Sequence, residues 1–248
     1  MDEERSKMLK HLRLAGLFAN WDQTLALARK RRMSHAALLT HVIEQEYAIK
    51  RESARLYRLQ RAQIPELLLM ETYPFHEQPK LDRKAMLSLY DAFDYMPQSQ
   101  NIIWLGRTGC GKSGLATGFL IDAINRGHTG RFILFHQLID ELRAAAADFS
   151  EAKVLKKFQA YDCLLIDELG YIEVEPAQVG LFFTLMQKRH RKKPTFITSN
   201  LGFDDWRSFL KNDHLTAALI DRLTENSHVI HMKGCRSIRP KLKPTDEP

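Results

Sequence analysis

Residues Asn101–Ser113 constrain this chain more than any other stretch. Ile102, Ile103, Trp104 and Leu105 form an apolar run of the length of one buried strand. The eight residues that follow, Gly106-Arg107-Thr108-Gly109-Cys110-Gly111-Lys112-Ser113, fit G-x-x-x-x-G-K-[ST], the phosphate-binding loop. The chemistry needs these residue types. Gly106, Gly109 and Gly111 let the backbone curl until its N–H groups converge on phosphate oxygens. Lys112 supplies a point charge, and Ser113 offers a hydroxyl to Mg²⁺. A helix is predicted over Ser113–Asn125, its N-terminal dipole favouring an anion, with Gly127 where it should stop. A chance glycine-rich turn is the bland alternative, and the strand before and helix after argue against it.

A phosphate loop needs an acidic partner. Cys163-Leu164-Leu165-Ile166-Asp167-Glu168 is an apolar strand ending in two carboxylates, the Walker B form. Asp167 is placed in the Mg²⁺ shell, and Glu168 is suited to polarising a water as general base. The competing reading is a buried strand with a solvated acidic end. Thr195–Ser199 is a further apolar strand after the breaker Pro194, and Asn200 behind it could orient a water at the γ-phosphate or simply turn the chain. Arg222 is a candidate arginine finger, with a surface ion pair to Asp221 or Glu225 as its rival.

Charge matters here because it is uneven. Residues 1–64 hold 13 Lys and Arg against 7 Asp and Glu, residues 65–232 hold 19 against 21, and residues 233–248 hold 5 against 2. The basic character sits in the two ends, the footprint of a nucleic-acid binder with a separate motor. A merely solvated basic helix is the alternative. No apolar run reaches membrane-spanning length, the charged N-terminus is no signal peptide, and no membrane partner is expected. Cys110, Cys163 and Cys235 have no metal-binding spacing and read as reduced residues of a cytoplasmic protein.

Taken in order, residues 1–64 read as a helical basic domain. Leu38, Leu39, Val42 and Ile43 follow helical spacing after a Ser34 cap. Beyond Ile49, Lys50, Arg51, Arg55, Arg58 and Arg61 fall within an arc of roughly 140° of one helix. Ile49 and Leu56 form its apolar back. This row suits DNA phosphates, and no base-reading motif accompanies it. Residues 65–98, with Pro65, Pro74, Pro79 and Pro97, read as a connector holding one helix between Asp82 and Phe93. Residues 99–248 alternate strands with helices, which implies a mostly parallel three-layer sheet.

With these residues in hand, the chain resembles the IstB family of AAA+ ATPases, helper proteins of bacterial insertion sequences. The likeness covers nearly the whole chain. Leu12-Arg13-Leu14, Asp167-Glu168-Leu169-Gly170-Tyr171, Thr198-Ser199-Asn200 and Asp221-Arg222-Leu223 before Ser227-His228-Val229-Ile230 are its most family-like phrases. The resemblance implies a P-loop NTPase sheet of order 5-1-4-3-2 with a small all-α N-terminal domain. It implies ATP and Mg²⁺ as cofactors, Asn200 as sensor 1, and Arg222 acting on a neighbouring subunit's ATP. It implies a homo-oligomer that assembles with ATP on duplex DNA in the bacterial cytoplasm and helps a partner transposase capture target DNA. The alternative is a helicase loader, related by family. Relatives often carry prolines or small residues where Arg107, Thr108 and Cys110 stand. The closing Gly234-Cys235-Arg236-Ser237-Ile238-Arg239 has one residue more than the family's Gly-x-Ser-x-Arg, so neither Arg236 nor Arg239 is assigned a sensor role.

Overall fold

The computed structural model describes residues 1–238. It contains two compact units, Met1–Arg58 and a second that begins at Leu59.

Three helices build the first unit: α1 (Glu3–His11), α2 (Ala15–Lys30) and α3 (His35–Ala62), whose last turn continues into the second unit. The unit boundary therefore falls inside a helix, ahead of Pro65. Arg13 and Arg32 turn the chain between helices with left-handed backbone, φ 55° and 49°. Asp2 caps α1 by accepting from Arg5 N at 2.8 Å, and Ser34 caps α3 by accepting from Ala37 N at 3.2 Å. A third cap comes from outside its helix. Glu46 of α3, 5% exposed, accepts from Leu17 N at 2.6 Å in the first turn of α2. A Cβ on Gly16 would lie 2.3 Å from Ile49 Cδ1, so the Ile49 side chain of α3 rests directly on the backbone of α2. The apolar back of α3 is only partly covered. Leu38, Val42 and Ile49 are half-buried, but Leu39, Ile43 and Leu56 are exposed. α2 meets one side of the 28-residue α3, while Leu39, Ile43 and Leu56 stay in solvent.

The second unit is organised by five parallel strands: β1 (Asn101–Leu105), β2 (Gly130–Leu134), β3 (Cys163–Leu169), β4 (Thr195–Ser199) and β5 (Ser227–His231). Their order is β2-β3-β4-β1-β5, the expected 5-1-4-3-2 read from the other edge. Ile103 stands opposite Ile197 on one side and Val229 on the other. Alternation divides the core in two. Ile102, Trp104, Leu165 and Phe196 face Leu115 and Phe119 of α5 (Lys112–Asn125). Ile103, Leu164, Ile166 and Ile197 face α6 (Phe135–Ala147), α7 (Glu151–Ala160), α8 (Pro176–Arg189), α9 (Trp206–Leu210) and α10 (Asp213–Thr224). Strands buried on both faces need continuous apolar runs, as β1 and β3 have.

The segment before β1 does more than connect. It makes 3₁₀ turns at Met70–Thr72 and Phe75–Glu77, then α4 (Arg83–Ala92), capped by Asp82. Met70, Tyr73, Gln78 and Leu81 are buried against the α5 side of the sheet. A Cβ on Gly118 would lie 3.3 Å from Met70 N, so a glycine on α5 admits this strand of backbone.

Arg189, at the end of α8, is 1% exposed. It donates to Phe158 O (2.9 Å), Tyr161 O (2.8 Å), Pro194 O (2.6 Å) and Thr195 Oγ1 (3.0 Å). Burial pushes its pKa down to about 10, so it is still charged at neutral pH. One guanidinium thus satisfies the end of α7, the turn that follows it and the start of β4. Arg189→Met keeps the apolar stem and orphans these acceptors, each costing about 1–3 kcal/mol when buried. The expected loss of stability is about 3 kcal/mol or more in urea unfolding; a loss under about 1 kcal/mol would show that water replaces the guanidinium.

Candidate functional site

The ends of β1, β3 and β4 meet at one cavity of about 450 Å³. The loop that leaves β1 curls because Gly109 and Gly111 take φ of 81° and 93°. Glycine is doubly required at Gly111, where a Cβ would also lie 2.6 Å from Tyr73 Oη. Thr108, Gly109, Gly111, Lys112 and Ser113 line the cavity, while Cys110 turns its thiol into the core. Lys112 Nζ donates to Gly106 O at 2.6 Å and Arg107 O at 2.9 Å, and Arg107 itself is exposed.

Asp167 is the centre of the acidic side. Ser113 Oγ donates to its Oδ1 at 2.9 Å, and Thr198 Oγ1 donates to the same oxygen. Thr198 Oγ1 also accepts from Glu168 N at 3.1 Å. Glu168 sits where the β3–β4 register shifts, with φ 61°, a left-handed conformation that costs a non-glycine residue about 1–3 kcal/mol. Its position in the cavity wall is held against that cost by Thr198. Tyr171, beyond the turn, shares a 2.9 Å hydrogen bond with Thr108 across the cavity.

One wall of this cavity comes from the proline-rich segment that reads in sequence as a connector. Glu66, Leu68, Thr72, Tyr73 and Pro74 line it. Gln78 Nε2 donates to Cys110 O at 3.0 Å and to Arg236 O at 2.6 Å, and its Oε1 accepts from Arg236 N at 3.0 Å. Tyr73 Oη donates to Cys110 O at 3.3 Å, and burial pushes that phenol's pKa upward, so it stays a neutral donor. Ile238 N donates to Gly109 O at 3.0 Å. The chain before β1 and the chain after β5 thus both brace the phosphate loop. The signal in the sequence was Gly114 and Gly118 inside a helix, where glycine costs about 1 kcal/mol each. Leu68 and Tyr73 are the nearest neighbours of Gly114.

Other candidate residues lie outside the cavity wall. Asn200 follows β4, and its Oδ1 is buried without a partner among the described residues. Arg222 on α10 forms neither of the ion pairs considered for it. Its guanidinium lies 4.7 Å from the Phe183 ring centroid, and Nη1 donates to Ala218 O at 3.1 Å. Glu225 instead pairs with His190 and Arg191. On α3, Lys50, Arg51 and Arg61 are exposed, and Arg55 forms a two-pronged pair with Glu52. Arg58 is half-buried, its Nε without a partner among the described residues. The backbone of Arg236 is held by Gln78; Arg239 lies outside the described residues. No helix among the described residues is long and apolar enough to cross a membrane.

A phosphate loop between β1 and α5, an acidic end on β3 and this strand order define an AAA+ P-loop ATP-binding protein. Among solved structures, the fold is shared with DnaI (TM-score 0.53, 19% identity, 60% of this chain and 84% of that one). It is also shared with AMPPCP-bound DnaA from Aquifex aeolicus (TM-score 0.56, 15% identity, 68% of this chain and 51% of that one). The family model of the IstB-like ATP binding protein matches residues 7–245. An insertion sequence IS21 ATP-binding protein of Pseudomonas aeruginosa is 30% identical over 240 residues, 97% of this chain and 90% of that one. The IS5376 counterpart of Geobacillus stearothermophilus is 27% identical over 234 residues, 94% and 93% of the two chains. The chain belongs to the IstB-like family of ATP-binding proteins.

Among the described residues, Lys112 brings the one ammonium group of the cavity wall. Lys112→Ala is expected to weaken ATP binding roughly ten- to a hundredfold, the worth of charge-assisted hydrogen bonds. Equilibrium binding of a fluorescent ATP analogue measures this; near-normal affinity would contradict the assignment of the phosphates to this loop.

Proposed function

We propose that the chain is a Mg²⁺-dependent ATPase that assembles on duplex DNA as an ATP-bound homo-oligomer and helps a partner transposase take its target DNA. The observation that carries the ATPase reading is the shared Asp167 oxygen, with Glu168 fixed beside it by Thr198. The role in transposition rests on relatives named for insertion sequences.

The residues fit a magnesium ion. A hydroxyl and a carboxylate oxygen 2.9 Å apart, Ser113 and Asp167, are hard oxygen donors of the kind Mg²⁺ takes together with nucleotide phosphates. Bound there, the ion would neutralise charge on the phosphate oxygens. Lys112 would turn from the loop carbonyls to the outer phosphates. Glu168 would accept a proton from the attacking water. Asn200, with an amide oxygen still to be satisfied, would help orient that water. Arg222 has no carboxylate partner among the described residues, and its remaining donors could serve a γ-phosphate held by a neighbour. Lys50, Arg51, Arg55, Arg58 and Arg61 would contact DNA phosphates without regard to sequence.

A second reading, loading of a replicative helicase, draws on one observation. Leu39, Ile43 and Tyr47 are spaced by four on α3 and are 64%, 66% and 67% exposed, a surface suited to gripping a protein. The insertion-sequence relatives weigh for the first reading. The deciding experiment compares ATP-dependent binding to duplex and single-stranded DNA, with assembly size read in the same sample. Duplex binding with growth of the assembly supports transposition; binding to single strands alone, without assembly on duplex, overturns it.

Two outcomes follow from the assigned roles. Glu168→Gln keeps the shape and loses the base, so it is expected to bind ATP, turn over at least a hundredfold more slowly and hold the DNA-bound assembly longer. Unchanged turnover in a steady-state phosphate assay would make Glu168 a solvated strand end. Arg222→Ala is expected to leave ATP binding by isolated protomers intact and to remove DNA-stimulated hydrolysis by about a thousandfold. Mixing it with Lys112→Ala subunits should recover part of the activity, from interfaces that pair an intact loop with an intact arginine. No recovery in mixtures that co-assemble would confine Arg222 to its contact with Phe183.

A further inference from the structure

Residues 65–232 are slightly acidic as a whole, yet they contain a dense basic cluster. From Lys153 to Lys157 and from Lys188 to Lys193 the chain has eight Lys and Arg and no Asp or Glu. α7 and α8 pack together and end side by side, where β3 and β4 begin. Cations are favoured at helix C-termini, and part of the cluster is accounted for in that way. Arg189 satisfies the carbonyls described above. Lys193 donates to Ala160 O at 2.6 Å and pairs with Asp162. Lys157 pairs with Glu141, and Arg191 with Glu225.

Lys153, Lys156, Lys188 and Lys192 remain, and the last three share one hollow. All three are exposed, and none has a carboxylate within 4.0 Å among the described residues. They border one concavity of about 380 Å³ together with Gln159 and Arg189. Three like charges around one hollow repel each other unless an anion lies between them. The hollow is also remote from the nucleotide. It precedes Cys163 and Thr195, whereas the phosphate loop and Glu168 lie at the opposite ends of the strands, roughly 15–20 Å away along the sheet.

We propose that this concavity is a second docking surface for the phosphate backbone of duplex DNA, on the ATPase core itself. The surface favours nucleic acid over an acidic protein. A protein interface needs an apolar centre, and no large apolar side chain is prominently exposed on α7, the end of α8 or the turn into β4. Lysine ammonium groups are mobile point charges, which suit phosphates in any register and select no base. Phosphate contacts made there leave the nucleotide site free.

This inference rests on the reading of the chain as a duplex-DNA binder, and its test separates the two. The full chain with ATP is titrated with a labelled duplex of arbitrary sequence at several salt concentrations. The core variant is Lys156→Gln/Lys188→Gln/Lys192→Gln, and the helix variant is Lys50→Ala/Arg51→Ala. The core variant should bind ATP normally, bind duplex at least tenfold more weakly, and lose about 2–3 from the slope of log K against log salt, at about 0.9 per phosphate contact. An unchanged slope in the core variant, with a reduced slope in the helix variant, overturns the second surface and leaves DNA binding standing. A core variant that alters assembly size but not the slope overturns it too, in favour of a contact between proteins. A wild-type chain that does not bind duplex overturns both.

Discussion

One oxygen atom holds the nucleotide site together. Asp167 Oδ1 accepts from Ser113 at the start of α5 and from Thr198 on β4, so three consecutive neighbours in the sheet, β1, β4 and β3, are tied at their C-terminal ends. β4 lies between β1 and β3, so Thr198 reaches Asp167 from the middle strand of the three. A hydroxyl that follows the loop from residue 106 and a hydroxyl from the middle strand thus meet on one carboxylate oxygen of residue 167. The oxygen is 4% exposed at residue level, where hydrogen bonds to a charged group are worth more than in water.

The left-handed backbone of Glu168 belongs to the same arrangement. A strand that ended regularly would alternate Asp167 and Glu168 to opposite faces. The shift of register between Ile166 and Leu169 re-aims the chain, and the Thr198 hydroxyl accepts the amide hydrogen that the bulge frees. A strained residue that lines a cavity and is held by a neighbouring strand is the usual mark of a position kept for chemistry.

Much of this was legible in the sequence, for reasons specific to each element. β1 and β3 are apolar runs bounded by polar turns, and α5 is announced by the loop that starts it. Strand order came from family resemblance, since periodicity says nothing of which strands pair. Thr198 was invisible because a threonine in a strand is ordinary; only its place opposite the bulge makes it a bridge. The segment from Glu66 to Gln78 was hidden by its prolines, which mark turns equally well in a linker and in a cavity wall. On α3, Leu39 and Ile43 obey helical spacing as faithfully as Leu38 and Val42, and spacing alone does not tell a covered face from a bare one. The lysine cluster escaped because net charge over residues 65–232 averages it away.

The bracing of the phosphate loop also sets an order of events during synthesis. Gln78 grips the Cys110 carbonyl and the backbone of Arg236, a residue 158 positions further along. Strand β1 is flanked by β4 and β5, both made long after it. At bacterial elongation rates of about 5–20 residues per second, the finished loop trails its own sequence by roughly 6–25 seconds. During that interval the nascent chain carries the motif without the scaffold that shapes it. Nucleotide affinity therefore arrives late and abruptly, when the last strand docks, and a ribosome-bound fragment that ends before β5 would leave the cellular ATP pool untouched.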